Sequence, residues 1–193
     1  RKFKNFHLKN NNYNFVLLVT ESFDPLLIEH FPQDIPNFMK IKEESLYFPN
    51  FYSSGTRSLM GITATIFSLP YVWGQPNMTN GLGSKSLSRI AKYFNNKNYE
   101  TLSFTTDIAT ADKAGEMAKY QGFNSFYSKE NIPVKRQYPL FNKGFDYEGF
   151  EFVLDKINQT KKNFFVYFFT SSMHSPYDIV LSQEHKKYNQ KDQ

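Results

Sequence analysis

The sequence has no cysteine. That excludes disulfides, thiolate metal sites and cysteine nucleophiles, and it leaves the compartment open because exported proteins also lack cysteine. No apolar run approaches the roughly 18 residues that a bilayer-spanning helix needs. The chain has no initiator methionine and no signal-peptide pattern, opening at Arg1 and closing in HKKYNQKDQ; it reads as a piece of something longer. Its basic residues are scattered rather than gathered in an arginine-rich block, so nucleic-acid binding has no support.

What is present is a core. The 193 residues suit about one domain, 40% of them are hydrophobic, and the 21 Phe and 13 Tyr make the chain rich in aromatics. The net charge of +5 suits an anionic partner such as a phosphate ester or an anionic membrane surface, or simply a dispersed solvated exterior.

Residues 1–13 are polar and basic and read as a linker or edge segment; the folded region begins at residue 14. The run NFVLLV (14–19) is short, apolar and β-branched, as in a strand buried on both faces of a parallel sheet. DPLLIEHF (24–31) predicts a short helix with Asp24 as N-cap and Pro25 at the first helical position. Further helices are expected over 35–45, 58–69, 86–95, 109–123 (closed by Gly122) and 147–160, and strands over 99–107 and 163–172. LYFPNFYSS (46–54) reads as extended, 70–84 as a loop, and 124–147 as irregular. Strand and helix alternate, which predicts an α/β fold with a mainly parallel sheet flanked by helices.

Three polar clusters follow extended segments: Thr20-Glu21-Ser22, Ser54 to Ser58, and Ser171 to His174. In a parallel sheet the C-terminal strand ends share one edge, so residues distant in sequence meet in one crevice. Glu21, at the end of a buried strand, needs a cation or an arginine beside it, unless it lies exposed in a loop. Thr56 and Ser58 sit where a helix begins. A hydroxyl there is either an ordinary N-cap or, activated by a divalent metal, a nucleophile. Arg57 can reach a phosphate or face solvent. His174, before a Ser-Pro turn, can bind a phosphate oxygen, act as a general acid, or be a surface histidine.

Taken in order, NFVLLVTESF (14–23), IPNFMKIKEESLYFPNFYSSGTRSLMG (35–61), GEMAKYQGFNSFY (115–127) and FFVYFFTSSMHSPYDI (164–179) resemble the alkaline phosphatase/sulfatase superfamily. The branch they resemble is that of the lipoteichoic acid synthases and phosphoglycerol transferases. The resemblance implies an alkaline-phosphatase-like fold of which 14–193 is the N-terminal portion, continuing beyond this chain. It implies that Glu21 binds a divalent metal, manganese or magnesium before zinc. It also implies that Ser58, three residues before Gly61, is both nucleophile and metal ligand, with Thr56 as the alternative. His174 with Pro176 and Tyr177 maps onto the family's His-x-Pro-aromatic segment near the head group. The family usually carries a histidine or aromatic residue after the strand at 100–105, where this chain has Thr106 and Asp107.

This chain departs from the pattern in two ways. A serine stands where threonine is usual, and the family's Asp-His metal pair occurs nowhere in the 193 residues. The implied activity is metal-dependent transfer of a phosphoglycerol- or phosphoethanolamine-type head group. The donor would be a phospholipid and the acceptor a cell-envelope glycan or polymer, on the extracytoplasmic side of a membrane to which the full-length protein is anchored. The alternatives are a sulfatase or phosphodiesterase of the same fold and a degenerate anion-binding domain. A sulfatase would need proline and arginine after its nucleophile, and SLMGI has neither.

Overall fold

A computed structural model describes residues 13–69, 87–133 and 144–175. Four strands, β1 (Phe15–Val19), β2 (Glu100–Thr105), β3 (Ser125–Tyr127) and β4 (Phe164–Phe169), form one sheet in the order β1-β4-β2-β3. Every pairing is parallel, with Val166 of β4 opposite both Val16 and Leu102. The helices are α1 (Pro25–His30), α2 (Pro36–Glu44), α3 (Ser58–Phe67), α4 (Ile90–Asn95), α5 (Ala114–Gln121) and α6 (Asp146–Gln159). The α/β architecture expected from the sequence is the one found.

The period of two in a strand explains how the sheet is covered on both faces. On β4, Phe165 and Tyr167 join Ile62, Ile66 and Phe67 of α3 and Met117 of α5. The intervening Val166 and Phe168 face the other way, with Leu102 and Phe104 of β2 and Val153 of α6. Fully apolar β4 is therefore the shared spine of two cores. Burial at these side chains stabilises each by about 1.5–3 kcal/mol. It also pushes the Tyr167 hydroxyl well above its ordinary pKa.

Several sequence expectations change. β1 is not buried on both faces: Leu17 and Val19 pack against the α3 side, but Val16 and Leu18 are exposed. It lies at the edge of the described sheet, beyond the reach of α6. The aromatic stretch 46–54 forms no strand, and residues 87–89 precede α4 rather than belonging to it. The helix expected over 109–123 is broken at Asp112 and Lys113, both with left-handed φ, so α5 starts only at Ala114. Gly122 closes it as expected, at φ +81°. The supposedly irregular 124–147 contains β3 and the first two residues of α6. The loop 70–84 and nearly all of the 1–13 segment lie outside the described residues.

Candidate active site

β1 delivers Glu21 to the C-terminal edge of the sheet. The backbone there is pinned to β4: the Thr170 N–H donates to the Val19 carbonyl at 3.1 Å, and the Glu21 N–H donates to Thr170 Oγ1 at 3.0 Å. Ser22 then turns the chain with a left-handed φ of 49°, an uncommon conformation for a residue with a Cβ. That turn lets the Ser22 hydroxyl donate to Glu21 Oε1 at 2.9 Å. α1 follows, with Asp24 Oδ1 accepting from the Leu26 N–H at 2.8 Å, the cap expected from the Asp-Pro pair.

Ser58 is the first residue of α3, and its hydroxyl donates to Glu21 Oε2 at 2.6 Å. It is not the helix cap. Arg57 holds the cap position without a side-chain bond to the helix, and the first turn contains no acidic residue. The negative group at this helix N-terminus is therefore supplied from β1 by Glu21, where the partial positive charge of the helix end favours it. Gly61, one turn on, lets the Ser53 hydroxyl approach: a Cβ there would lie 3.1 Å from Ser53 Oγ.

Glu21 is 8% exposed and Ser58 half-buried, at the base of an open cleft of about 520 Å³. Thr56 and Arg57 line the same cleft, and Phe51 and Tyr52 form part of its wall. The fold thus brings Glu21, Thr56, Arg57 and Ser58 together. The segment that carries the hydroxyls does not follow a strand, as the sequence pattern implied, but an irregular stretch.

The remaining candidates sit at the ends of β2 and β4 and do not line this cleft. Thr106 is fully buried. Its hydroxyl donates to Asp146 Oδ1 at 2.6 Å and accepts from the Ser171 hydroxyl, also at 2.6 Å. Asp146 further accepts the N–H groups of Ser171 and Ser172, each at 2.8 Å, while its own N–H donates to Ser172 Oγ at 2.8 Å. Asp107 caps its own turn, Oδ1 accepting from Ile108 N–H at 2.8 Å. The His174 N–H donates to the Ser171 carbonyl at 3.1 Å, and its Nδ1 lies 2.6 Å from the Ser175 carbonyl. Pro176 and Tyr177 lie outside the described residues.

Sequence reasoning missed Asp146 and the hydroxyl of Ser22. An Asp opening an amphipathic helix is a readable signal, but nothing local tells that its carboxylate reaches two other strand ends.

The family model described as Sulfatase matches residues 13–193. The chain belongs to the sulfatase family. Its fold is that of solved structures from the same superfamily. One is a protein in the alkaline phosphatase superfamily from Vibrio parahaemolyticus, with a TM-score of 0.72 and 22% identity over 90% of this chain and 43% of that one. Another is the lipoteichoic acid synthase LtaP from Listeria monocytogenes, with a TM-score of 0.70 and 18% identity over 89% of this chain and 45% of that one. This sulfatase-family chain therefore spans less than half the length of either structure. No curated protein matches its sequence.

Whether the sulfatase-family site suits a divalent metal is a matter of donors. Glu21 and Ser58 offer a carboxylate and a hydroxyl on adjoining atoms, an all-oxygen pair that suits magnesium or manganese better than zinc. Among the described residues no group of three His, Cys, Asp or Glu converges on one point.

Proposed function

We propose that the protein transfers a phosphoglycerol- or phosphoethanolamine-type head group from a phospholipid to a glycan or polymer hydroxyl, through a covalent intermediate on Ser58. The observation that carries this reading is the 2.6 Å bond from Ser58 to Glu21 at the N-terminus of α3, on the floor of an open cleft. The domain assignment goes with it: residues 14–193 act as the N-terminal portion of the catalytic domain.

In the first step Ser58 Oγ, its proton directed at Glu21 Oε2, forms a bond to phosphorus. The bond between phosphorus and the diacylglycerol oxygen breaks, and that oxygen leaves carrying the proton that Ser58 gave up. In the second step an acceptor hydroxyl attacks phosphorus and the Ser58 Oγ–P bond breaks. The acceptor's proton passes to Ser58 Oγ, which is restored as an alcohol. A divalent metal, manganese or magnesium, held by Glu21 and Ser58, would supply charge stabilisation and a lowered hydroxyl pKa. The N–H groups opening α3 face the phosphoryl oxygens, and Arg57 supplies a positive charge from the same cleft. His174 positions the head group or acceptor. Thr106 acts through Asp146, and Asp107 borders that region. A lipid donor and an envelope acceptor place the reaction at the extracytoplasmic face of a membrane.

The test is turnover of a head-group-labelled phospholipid by the full-length protein with manganese, alongside Ser58→Ala. Transfer to an acceptor and a labelled Ser58 peptide are the expected results, both lost in the variant, with a rate drop beyond about a thousandfold. Label released only to water would make the protein a hydrolase. Unchanged turnover in Ser58→Ala would overturn the reading.

A further inference from the structure

Ser22 follows Glu21 directly and carries its hydroxyl on a backbone that a side chain disfavours. Its φ of 49° lies in the left-handed region, where glycine is at ease and a residue with a Cβ is strained. Such strain persists only where the surroundings hold it, and it gathers at functional sites. At Ser22 the strain has a visible effect. The left-handed turn folds the hydroxyl back on the preceding side chain, where it donates to Glu21 Oε1 at 2.9 Å.

The other oxygen, Oε2, accepts from the Ser58 hydroxyl at 2.6 Å. One carboxylate is therefore divided between two hydroxyls, and all three residues line the cleft. The two hydroxyls differ in what an ion does to them. An ion held by Glu21 and Ser58 takes the place of the proton between Oε2 and Ser58 Oγ. The Ser22 bond lies on the far oxygen and is made between neighbours in the chain, so the ion has no need to break it. The backbone before it is fixed as well, because the Glu21 N–H donates to the buried Thr170 Oγ1 at 3.0 Å.

We infer that Ser22 is a positioning residue that reserves Glu21 Oε1, so that the carboxylate meets a divalent ion through Oε2 alone and the site favours manganese or magnesium over calcium. This rests on the reading of Glu21 and Ser58 as metal ligands and adds to it how the site chooses its ion. Calcium is the larger ion, takes about six to eight oxygens in flexible geometry, and accepts both oxygens of one carboxylate. Magnesium demands a near-ideal octahedron, and manganese is bound by the same oxygen donors. A carboxylate binding through both oxygens has too narrow a bite for an octahedron, so a hydroxyl that keeps one oxygen occupied disfavours calcium.

The strained backbone makes the test sharp, because it separates the hydroxyl from the fold. Ser22→Gly removes the hydroxyl and relieves the backbone. Ser22→Thr keeps the hydroxyl and adds a β-branch to a left-handed residue, which worsens the strain. In the full-length protein, manganese binding is followed by the loss of free-ion electron paramagnetic resonance signal and calcium binding by isothermal titration. Thermal midpoints are taken in chelator. Ser22→Gly is expected to keep or raise the midpoint while manganese affinity falls about tenfold or more. The preference for manganese over calcium should shrink by a similar factor. Ser22→Thr is expected to lower the midpoint and to keep manganese affinity within a few-fold of wild type.

Metal affinity would then follow the hydroxyl and stability the backbone, in opposite directions. Manganese affinity unchanged in Ser22→Gly overturns the inference. So does affinity that falls in step with stability across the two variants, or a manganese-to-calcium ratio that does not move. Glu21→Gln separates this from the reading beneath it. If Glu21→Gln weakens manganese binding and Ser22→Gly does not, only the role of Ser22 fails. If neither does, the metal site at Glu21 fails and the role of Ser22 with it.

Discussion

Glu21 and Ser58 are 37 positions apart in sequence and joined by a 2.6 Å hydrogen bond in the lining of the cleft. The link is built by two unrelated pieces of local structure: the turn at Ser22 that ends β1 and the first turn of α3. Each alone is a strand end or a helix start. Joined, they give a carboxylate with both oxygens engaged, Oε1 by Ser22 and Oε2 by Ser58. Ser22 thus fixes the rotamer that presents Oε2 to Ser58.

Glu21→Gln tests what that carboxylate is for. The amide keeps the shape and one acceptor oxygen but removes the charge. Manganese binding to the full-length protein, followed by isothermal titration or by the loss of free-ion electron paramagnetic resonance signal, is expected to weaken by about tenfold to a hundredfold. Ser58→Ala removes a neutral donor and should weaken binding much less. Equal manganese affinity in wild type and Glu21→Gln would remove Glu21 from the metal site.

Asp146 is expected to matter more for stability than any residue lining the cleft. Its carboxylate receives two backbone N–H groups and the Thr106 hydroxyl, tying the ends of β2 and β4 to the start of α6. Asp146→Ala leaves those donors unsatisfied in a largely buried place, a loss of about 2–4 kcal/mol. Asp146→Asn, which keeps one acceptor, is expected to lose less. Urea unfolding measures both; an alanine variant as stable as wild type would show that water replaces the carboxylate fully.

Much of this architecture is legible in the sequence because its signals are strong and local. FVLLV and FFVYFF are short apolar runs of β-branched and aromatic residues, so they read as strands; Asp24-Pro25 and Gly122 mark helix ends for stereochemical reasons. What is not legible depends on partners far away. β3 is three residues long and exists because it pairs with Leu102 to Phe104, and no pattern of period two can emerge from so short a run. The 46–54 stretch has strand composition but pairs with no strand among the described residues. Strand-end logic places Glu21 and Thr170 at one edge, whereas Ser58 reaches Glu21 from an irregular stretch and the anchoring of Thr106 by Asp146 requires knowing how α6 crosses the sheet.

Gly149 shows how tightly α6 crosses. A Cβ there would lie 2.5 Å from Thr106 Cγ2 and 3.0 Å from Phe168 Cζ, so neither the anchored threonine nor the core phenylalanine has room to move. Gly149→Ala, normally helix-stabilising, is therefore expected to cost about 1–3 kcal/mol. Thermal unfolding followed by circular dichroism reads the sign directly: a raised midpoint would show that α6 can back away from the sheet.

Glu130 gives the protein a pH-dependent tie outside the site. Slight burial works against its charged form but is outweighed by hydrogen bonds from the Ser128 hydroxyl, from its own N–H and from Ala109 N–H, with Lys129 nearby; the carboxyl is held below its ordinary value. A carboxyl with a lowered folded pKa stabilises the fold above its unfolded pKa, and that contribution fades as pH falls through the folded value. The difference in stability between wild type and Glu130→Gln is thus expected to be small but present at neutral pH and to vanish as pH falls below the ordinary carboxylate range. A difference independent of pH would mean that the side chain acts by shape alone.

Position as much as chemistry favours Ser58 over Thr56 as the proposed nucleophile. Both line the cleft, but Ser58 occupies the first turn of α3 and bonds Glu21, while Thr56 lies exposed in the irregular segment before it. A nucleophile needs a fixed direction, since a small misplacement of the attacking oxygen costs orders of magnitude in rate. Thr56→Val is therefore expected to leave head-group transfer within a few-fold of wild type. Ser58→Thr should retain transfer, because a threonine at a helix start can keep its hydroxyl on Glu21 with the added methyl group turned along the cleft wall. Phosphopeptide mapping of trapped enzyme reads this without relying on rates: the label should follow residue 58 in wild type and in Ser58→Thr, and its appearance on Thr56 in either protein would reverse the assignment.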